Sequence, residues 1–193
     1  KDLVRTALDP EESSRREIED NHILGLINVP VNHDSNISEY DTLPLGIIIT
    51  PDYFVTVCQE HNDVIQNFSE SRFRYFNTWK RTRFLFQILY RSAMLFLKDL
   101  RQMTRRSDQI EQDLRQSMKN AELFQLLDLQ KGLTYYSMSL RSNKVVVERL
   151  LRLCSNSQGT HLLQSREEDA HLLDDVPIEY DQAIATAQIR TAV

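Results

Sequence analysis

The sequence runs to 193 residues with a net charge of −5 and only four glycines and five prolines, so regular elements must fill most of its length and a compact all-β fold is disfavoured. No run of about 18 apolar residues suits a membrane helix, and no basic flank leads into an apolar signal core, so the chain as it stands reads as soluble. Cys58 and Cys154 lie in unrelated apolar contexts without CxxC or Cys/His spacing, which argues against a zinc site or disulfide framework and for buried free thiols in a reducing compartment.

Residues 1–20 are polar and charged. Within them Asp9-Pro10-Glu11-Glu12 has the grammar of a helix start, with a capping acid, a first-turn proline and two glutamates at the positive helix end, and a short helix is expected to follow. His22 to Val31 concentrates Ile, Leu and Val up to Pro30 and the loop-like Asn32-His33-Asp34-Ser35-Asn36, and reads as a buried strand. Leu43 to Thr50 and Tyr53 to Gln59 read as two more strands, joined by the tight-turn signal Pro51-Asp52 into an antiparallel hairpin. Three strands make a small layer that needs helices to cover it. Asn62 to Ser71 is expected as one short covering helix.

From Thr78 the apolar period changes to three and four, through Leu85, Ile88, Leu89, Leu95, Phe96 and Leu100 and more sparsely to Met103, Ile110, Leu114 and Met118. That pattern predicts one amphipathic helix of about forty residues, roughly 60 Å long. Lys119-Asn120 marks a reversal, after which Leu123, Leu126, Leu127, Leu133, Tyr136, Leu140, Val147, Leu150 and Leu151 predict a second helix antiparallel to the first. Gly132 inside it costs about 1 kcal/mol relative to alanine and marks a close helix contact. Cys154 to Ser165, with Gly159, reads as a loop. Asp174-Asp175-Val176-Pro177-Ile178-Glu179 then repeats the helix-start grammar, and no stop signal follows, so the last helix is expected to continue past Val193.

The predicted fold is α+β, with a sandwich-like sheet domain over 1–77, a long helical hairpin over 78–153, an acidic loop over 154–172 and the start of a further helix over 173–193. No GxSxG, P-loop, GxGxxG or HExxH motif is present, and the five histidines are scattered, which argues against an enzyme. The basic stretch from Lys80 to Arg106 suits nucleic acid or anionic lipid by charge alone. Without interleaved aromatics it reads instead as the wet face of an amphipathic helix, with no nucleic-acid partner. The acidic group Glu167, Glu168, Asp169, Asp174, Asp175, Glu179 and Asp181 has two readings. It is a solvated helix cap, or a set of oxygen ligands that several copies of the helix bring together around a cation.

Several stretches resemble one family. Glu19-Asp20-Asn21-His22-Ile23-Leu24, the hairpin Leu43 to Thr50 and Tyr53 to Val57, the helix Arg83 to Leu97, and Ile178-Glu179-Tyr180-Asp181-Gln182-Ala183-Ile184 are together similar to the cytoplasmic part of the CorA magnesium-transporter family, the last stretch resembling the start of its stalk helix. The resemblance implies a homopentamer anchored in the cell membrane by segments absent from this sequence, this part lying on the cytoplasmic side. It also implies weak regulatory Mg2+ sites between subunits, with Co2+ or Zn2+ as alternatives. By position the metal ligands carried over are Asp20 and Asp181, with Glu19 and Glu179 as neighbours able to substitute. The family's Gly-Met-Asn signature would lie beyond Val193. A soluble helical scaffold or adaptor, and the equivalent domain of a related zinc transporter, are the competing readings.

Overall fold

The computed structural model describes residues 4–5, 8, 14–19, 21–32, 40–69, 79–117, 120–155 and 161–191. Four strands, β1 (Arg15–Glu19), β2 (His22–Asn32), β3 (Tyr40–Ile49) and β4 (Phe54–Cys58), form an antiparallel meander in chain order. The sheet is followed by a short helix α1 (Asp63–Ser69), two long helices α2 (Arg81–Ser117) and α3 (Asn120–Ser155), a 3-10 turn (Glu167–Asp169) and a last helix α4 (Ala170–Thr191). The α+β architecture expected from the sequence is the one observed.

Central position explains why β2 reads as a continuous apolar run. Ile23, Ile27 and Val29 alternate with Leu24 and Leu26, and all five are buried, so the two faces of the strand are both covered. The Pro51-Asp52 hairpin closes as expected, with Ile49 opposite Phe54 and the Thr50 N–H donating to the Tyr53 carbonyl at 2.8 Å.

Two expectations need correction. Residues 15–19 are a strand, paired from Arg15 opposite Leu26 to Glu19 opposite His22. The helix start expected at Asp9–Glu12 lies outside the described residues, and the short helix expected to follow it does not extend over 15–19, where the chain is a strand. The sequence Arg-Arg-Glu-Ile-Glu lacks an apolar alternation because it is an edge strand, where charge guards the open hydrogen-bonding side. Secondly, Pro177 does not sit in a first turn: α4 begins at Ala170 and carries Pro177 in its interior. A proline there forfeits a hydrogen bond and costs about 3 kcal/mol or more. Burial of Leu173 and Val176 against the core, together with the anchoring of Asp169 described below, holds the two preceding turns in place.

Helix α2 has 37 residues and α3 has 36, so each reaches about 55 Å at 1.5 Å per residue. They lie antiparallel, and α4 packs along both. The shared core joins Phe86, Leu89 and Phe96 of α2, Tyr136, Leu140 and Val147 of α3, and Val176, Tyr180, Ala183 and Ala187 of α4. Ala183 and Ala187 are small and fully buried, which lets α4 approach its neighbours closely. Tyr136 stands edge-on to both Tyr40 of β3 and Phe96, with ring centroids 6.2 and 5.0 Å away.

Candidate functional site: the acidic helix and its anchors

Helix α4 carries most of the acids singled out in the sequence, and the structure divides them by role. Asp169 is almost fully buried, and its carboxylate accepts from Arg83 Nη1 at 3.0 Å. The same nitrogen donates to the Glu168 carbonyl at 3.2 Å, and Lys80 Nζ meets Glu168 Oε1 at 2.6 Å. The N–H of Gln164 donates to Thr82 Oγ1 at 2.9 Å. These contacts fasten the acidic turn to the start of α2, so Glu168 and Asp169 act as anchors that seat α4. The Lys80 ammonium, hydrogen-bonded to Glu168, holds that carboxyl below its ordinary range.

Of the four predicted metal ligands, Asp20 lies outside the described residues. Glu19 closes β1, opposite His22. Glu179 and Asp181 are separated by one residue on α4, a spacing that points side chains to different sides of a helix. Glu179 is half-buried and lies with Asp175 near Tyr90 of α2, whose phenol is raised chiefly by burial and then by those two charges. Asp181 is exposed and forms an ion pair with Lys144 Nζ on α3. The structure therefore places the two carboxylates on opposite flanks of α4. Among the described residues, no group of three or more His, Cys, Asp or Glu side chains is arranged to hold a metal ion, so a protomer alone does not complete a site from them.

Sequence reasoning missed the partner of Asp181. Hydrogen bonding to Asp181, offset in part by desolvation and reinforced by the charges of Asp181 and Glu148, raises the Lys144 ammonium. Any cation arriving at Asp181 competes with this internal one.

Two buried polar anchors were also missed. Asn143 of α3 is fully buried, and its Oδ1 accepts from the Asn28 N–H and from Ser14 Oγ, both at 2.8 Å, while Nδ2 donates to the Asn28 carbonyl at 2.6 Å. Among the described residues β1 pairs with β2 as far as Leu26, and Asn143 satisfies the backbone N–H and carbonyl of Asn28 two residues beyond. Its place within the apolar series Tyr136, Leu140, Val147 was the available signal. Tyr136 Oη donates to Asp99 Oδ2 at 3.0 Å inside the core, and burial together with the Asp99 carboxyl pushes the phenol far up. Burial likewise raises the Cys154 thiol to about 12, and both cysteines are free.

No described helix is long and apolar enough to cross a membrane. A family model described as a CorA-like Mg2+ transporter protein matches residues 1–191. The soluble domain of CorA from Methanocaldococcus jannaschii superposes with a TM-score of 0.80 at 20% identity, covering 98% of this chain and 73% of that one. The complete CorA magnesium transporter of the same organism also gives 0.80 at 20% identity, over 98% of this chain, which spans only 57% of the full-length protein. The ZntB cytoplasmic domain from Vibrio parahaemolyticus gives 0.72 at 12% identity, over 95% of this chain and 69% of that one. A comparison with curated proteins found no match. At these identities the structural likenesses establish the fold alone.

Proposed function

Because the chain belongs to the CorA-like Mg2+ transporter family, we propose that it is the cytoplasmic, divalent-cation-sensing part of such a transporter and has no catalytic activity of its own. In this reading the pore and the membrane attachment belong to further sequence of the full-length protein. Five copies assemble with α4 toward a common axis, and weak Mg2+ sites between neighbours report the internal concentration.

The observation that carries the reading is the outward side of α4. Ile178 and Ile189 are 60% and 67% exposed and fall on one helix face, flanked by exposed Asp174, Asp175 and Asp181. A helix face that is both apolar and acidic suits contact with copies of itself bridged by a hard cation. Two carboxylates about 4 Å apart repel by roughly 4 kcal/mol at an effective dielectric of 20. A bridging Mg2+ reverses that sign and stabilises the closed assembly by mass action, and its loss loosens the bundle. Mg2+ dehydrates reluctantly, so few carboxylates and several retained waters suffice. Asp20 of one protomer and Asp181 of the next are the proposed ligands, with Glu19 as the neighbour able to substitute for Asp20.

Thermal unfolding and sedimentation across a Mg2+ titration test this. The expected result is Mg2+-dependent stabilisation or assembly that Asp20→Ala with Asp181→Ala abolishes, and an unchanged response in the double variant removes those residues from the mechanism. The likeness to the ZntB domain favours one second reading, a zinc transporter. Midpoints measured side by side for Mg2+, Co2+ and Zn2+ decide between the two.

A further inference from the structure

Most of the basic side chains near α4 are spoken for. Lys80, Arg83 and Lys144 each meet a carboxylate of the acidic turn or of α4. Lys98, Arg101 and Arg105 of α2 are exposed and, among the described residues, have no ion pair or hydrogen bond. They recur at spacings of three and four, so all three fall on one side of the helix. Like charges at that spacing repel by about 0.2–0.5 kcal/mol per pair. The chain has acids to spare, with a net charge of −5, yet α4 sets Thr186 and Ile189 opposite the arginines. Between the two helices opens a groove of about 380 Å³ lined, among the described residues, by Arg101, Thr104, Arg105, Thr186 and Ile189 and by no carboxylate, with a volume within the range of small-molecule sites, about 300–1,000 Å³.

We propose that this groove binds a phosphate-bearing anion. Two guanidiniums one helical turn apart match the charge of a phosphate monoester, and each planar fork can grip separate oxygens of it. Lys98, three residues before Arg101 on the same side of α2, adds to the positive field. Ile189, 67% exposed, gives a less polar surface for whatever the phosphate is attached to, either the rest of a soluble ester or the glycerol region of a lipid. An occupant cross-links α2 to the end of α4 and relieves the repulsion among the three cations. The site uses none of the proposed metal ligands; it shares only Ile189 with the face of α4 proposed above to meet other copies, and its test reads anion binding in EDTA, apart from any cation-driven assembly.

The test follows thermal unfolding and 31P NMR line width of the chain as inorganic phosphate is added, in EDTA and at an ionic strength held constant with chloride. In a parallel arm the chain is floated with phosphatidylcholine vesicles that contain or lack phosphatidic acid, whose headgroup is a phosphate monoester. The expected result is a rise in Tm over the chloride control, retention on the anionic vesicles, or both, with Arg101→Gln/Arg105→Gln binding at least tenfold more weakly. Both positions are exposed, so the variant should keep its far-UV circular dichroism. Arg141→Gln removes one charge at an exposed site on α3 outside the groove lining and should bind as the parent does. Response to phosphate alone identifies a soluble ester, and response to vesicles alone identifies a headgroup; either supports the site. No response to either probe, an undiminished response in the double variant, or an equal loss in Arg141→Gln overturns it.

Discussion

Replacing Gly132 by alanine sets two effects of known sign against each other. In an isolated helix the change would stabilise by about 1 kcal/mol, because glycine gives up more backbone freedom on folding. In this protein a Cβ at residue 132 would lie 2.9 Å from Met103 Cε, 2.9 Å from Tyr40 Cβ and 3.3 Å from the Tyr40 carbonyl oxygen. The methionine methyl is the end of a flexible side chain and can swing aside. Tyr40 cannot, since its Cβ is rigidly tied to the β3 backbone and its ring is held edge-on against Tyr136. Overpacking of this kind costs about 1–3 kcal/mol, so the net expectation is a loss of about 0–2 kcal/mol. At roughly 2–4 °C per kcal/mol for a chain of this size, Tm should fall by up to about 8 °C. Calorimetry on Gly132→Ala, alone and combined with Met103→Ala, measures it. A combined variant no less stable than Met103→Ala would assign the whole clash to the methionine, and a Gly132→Ala variant more stable than the parent would refute the reasoning.

Other expectations follow from the anchors around α4. Tyr136→Phe removes the phenol that donates to buried Asp99 and should cost about 1.5–3 kcal/mol, the range for hydrogen bonds to charged groups; an unchanged denaturant midpoint would contradict it. Lys144→Gln frees Asp181 of its internal cation. An exposed ion pair is worth about 0–1 kcal/mol, so stability should barely change while the Mg2+ midpoint moves to lower concentration by up to about fivefold; a move to higher concentration would argue against Asp181 as a ligand. The Glu168 carboxyl has its folded-state pKa depressed below 4.5, first by the hydrogen bond from Lys80. Its contribution is therefore complete above about pH 4.5 and lost as pH falls through the lower folded-state value. Glu168→Gln should make Tm less sensitive to pH below about 4.5, and parallel profiles for parent and variant would count against the pair.

Local chemistry was enough to place most of the elements. The apolar run from His22, the Pro51-Asp52 turn and the long series at spacings of three and four each reflect a residue's own backbone preference or its exposure along one regular element. β1 escaped because an edge strand needs no apolar face, and the start of α4 was misplaced because Pro177 is an interior proline held by packing. The candidate site shows the same division. Acid enrichment before and within α4 could be read directly, but its sorting into the anchors Glu168 and Asp169, the Lys144-paired Asp181 and the Tyr90-facing Glu179 could not. Lys144 and Asp181 are 37 residues apart, and Arg83 and Asp169 are 86 apart. What sequence alone determined was thus the order and kind of elements, since propensity and burial period act within a few neighbouring residues. Which charges meet, which stay unpaired beside a groove, and what a Cβ at residue 132 would meet were decided only when α2, α3, α4 and β3 packed together, because those energies depend on distances between residues far apart in the chain.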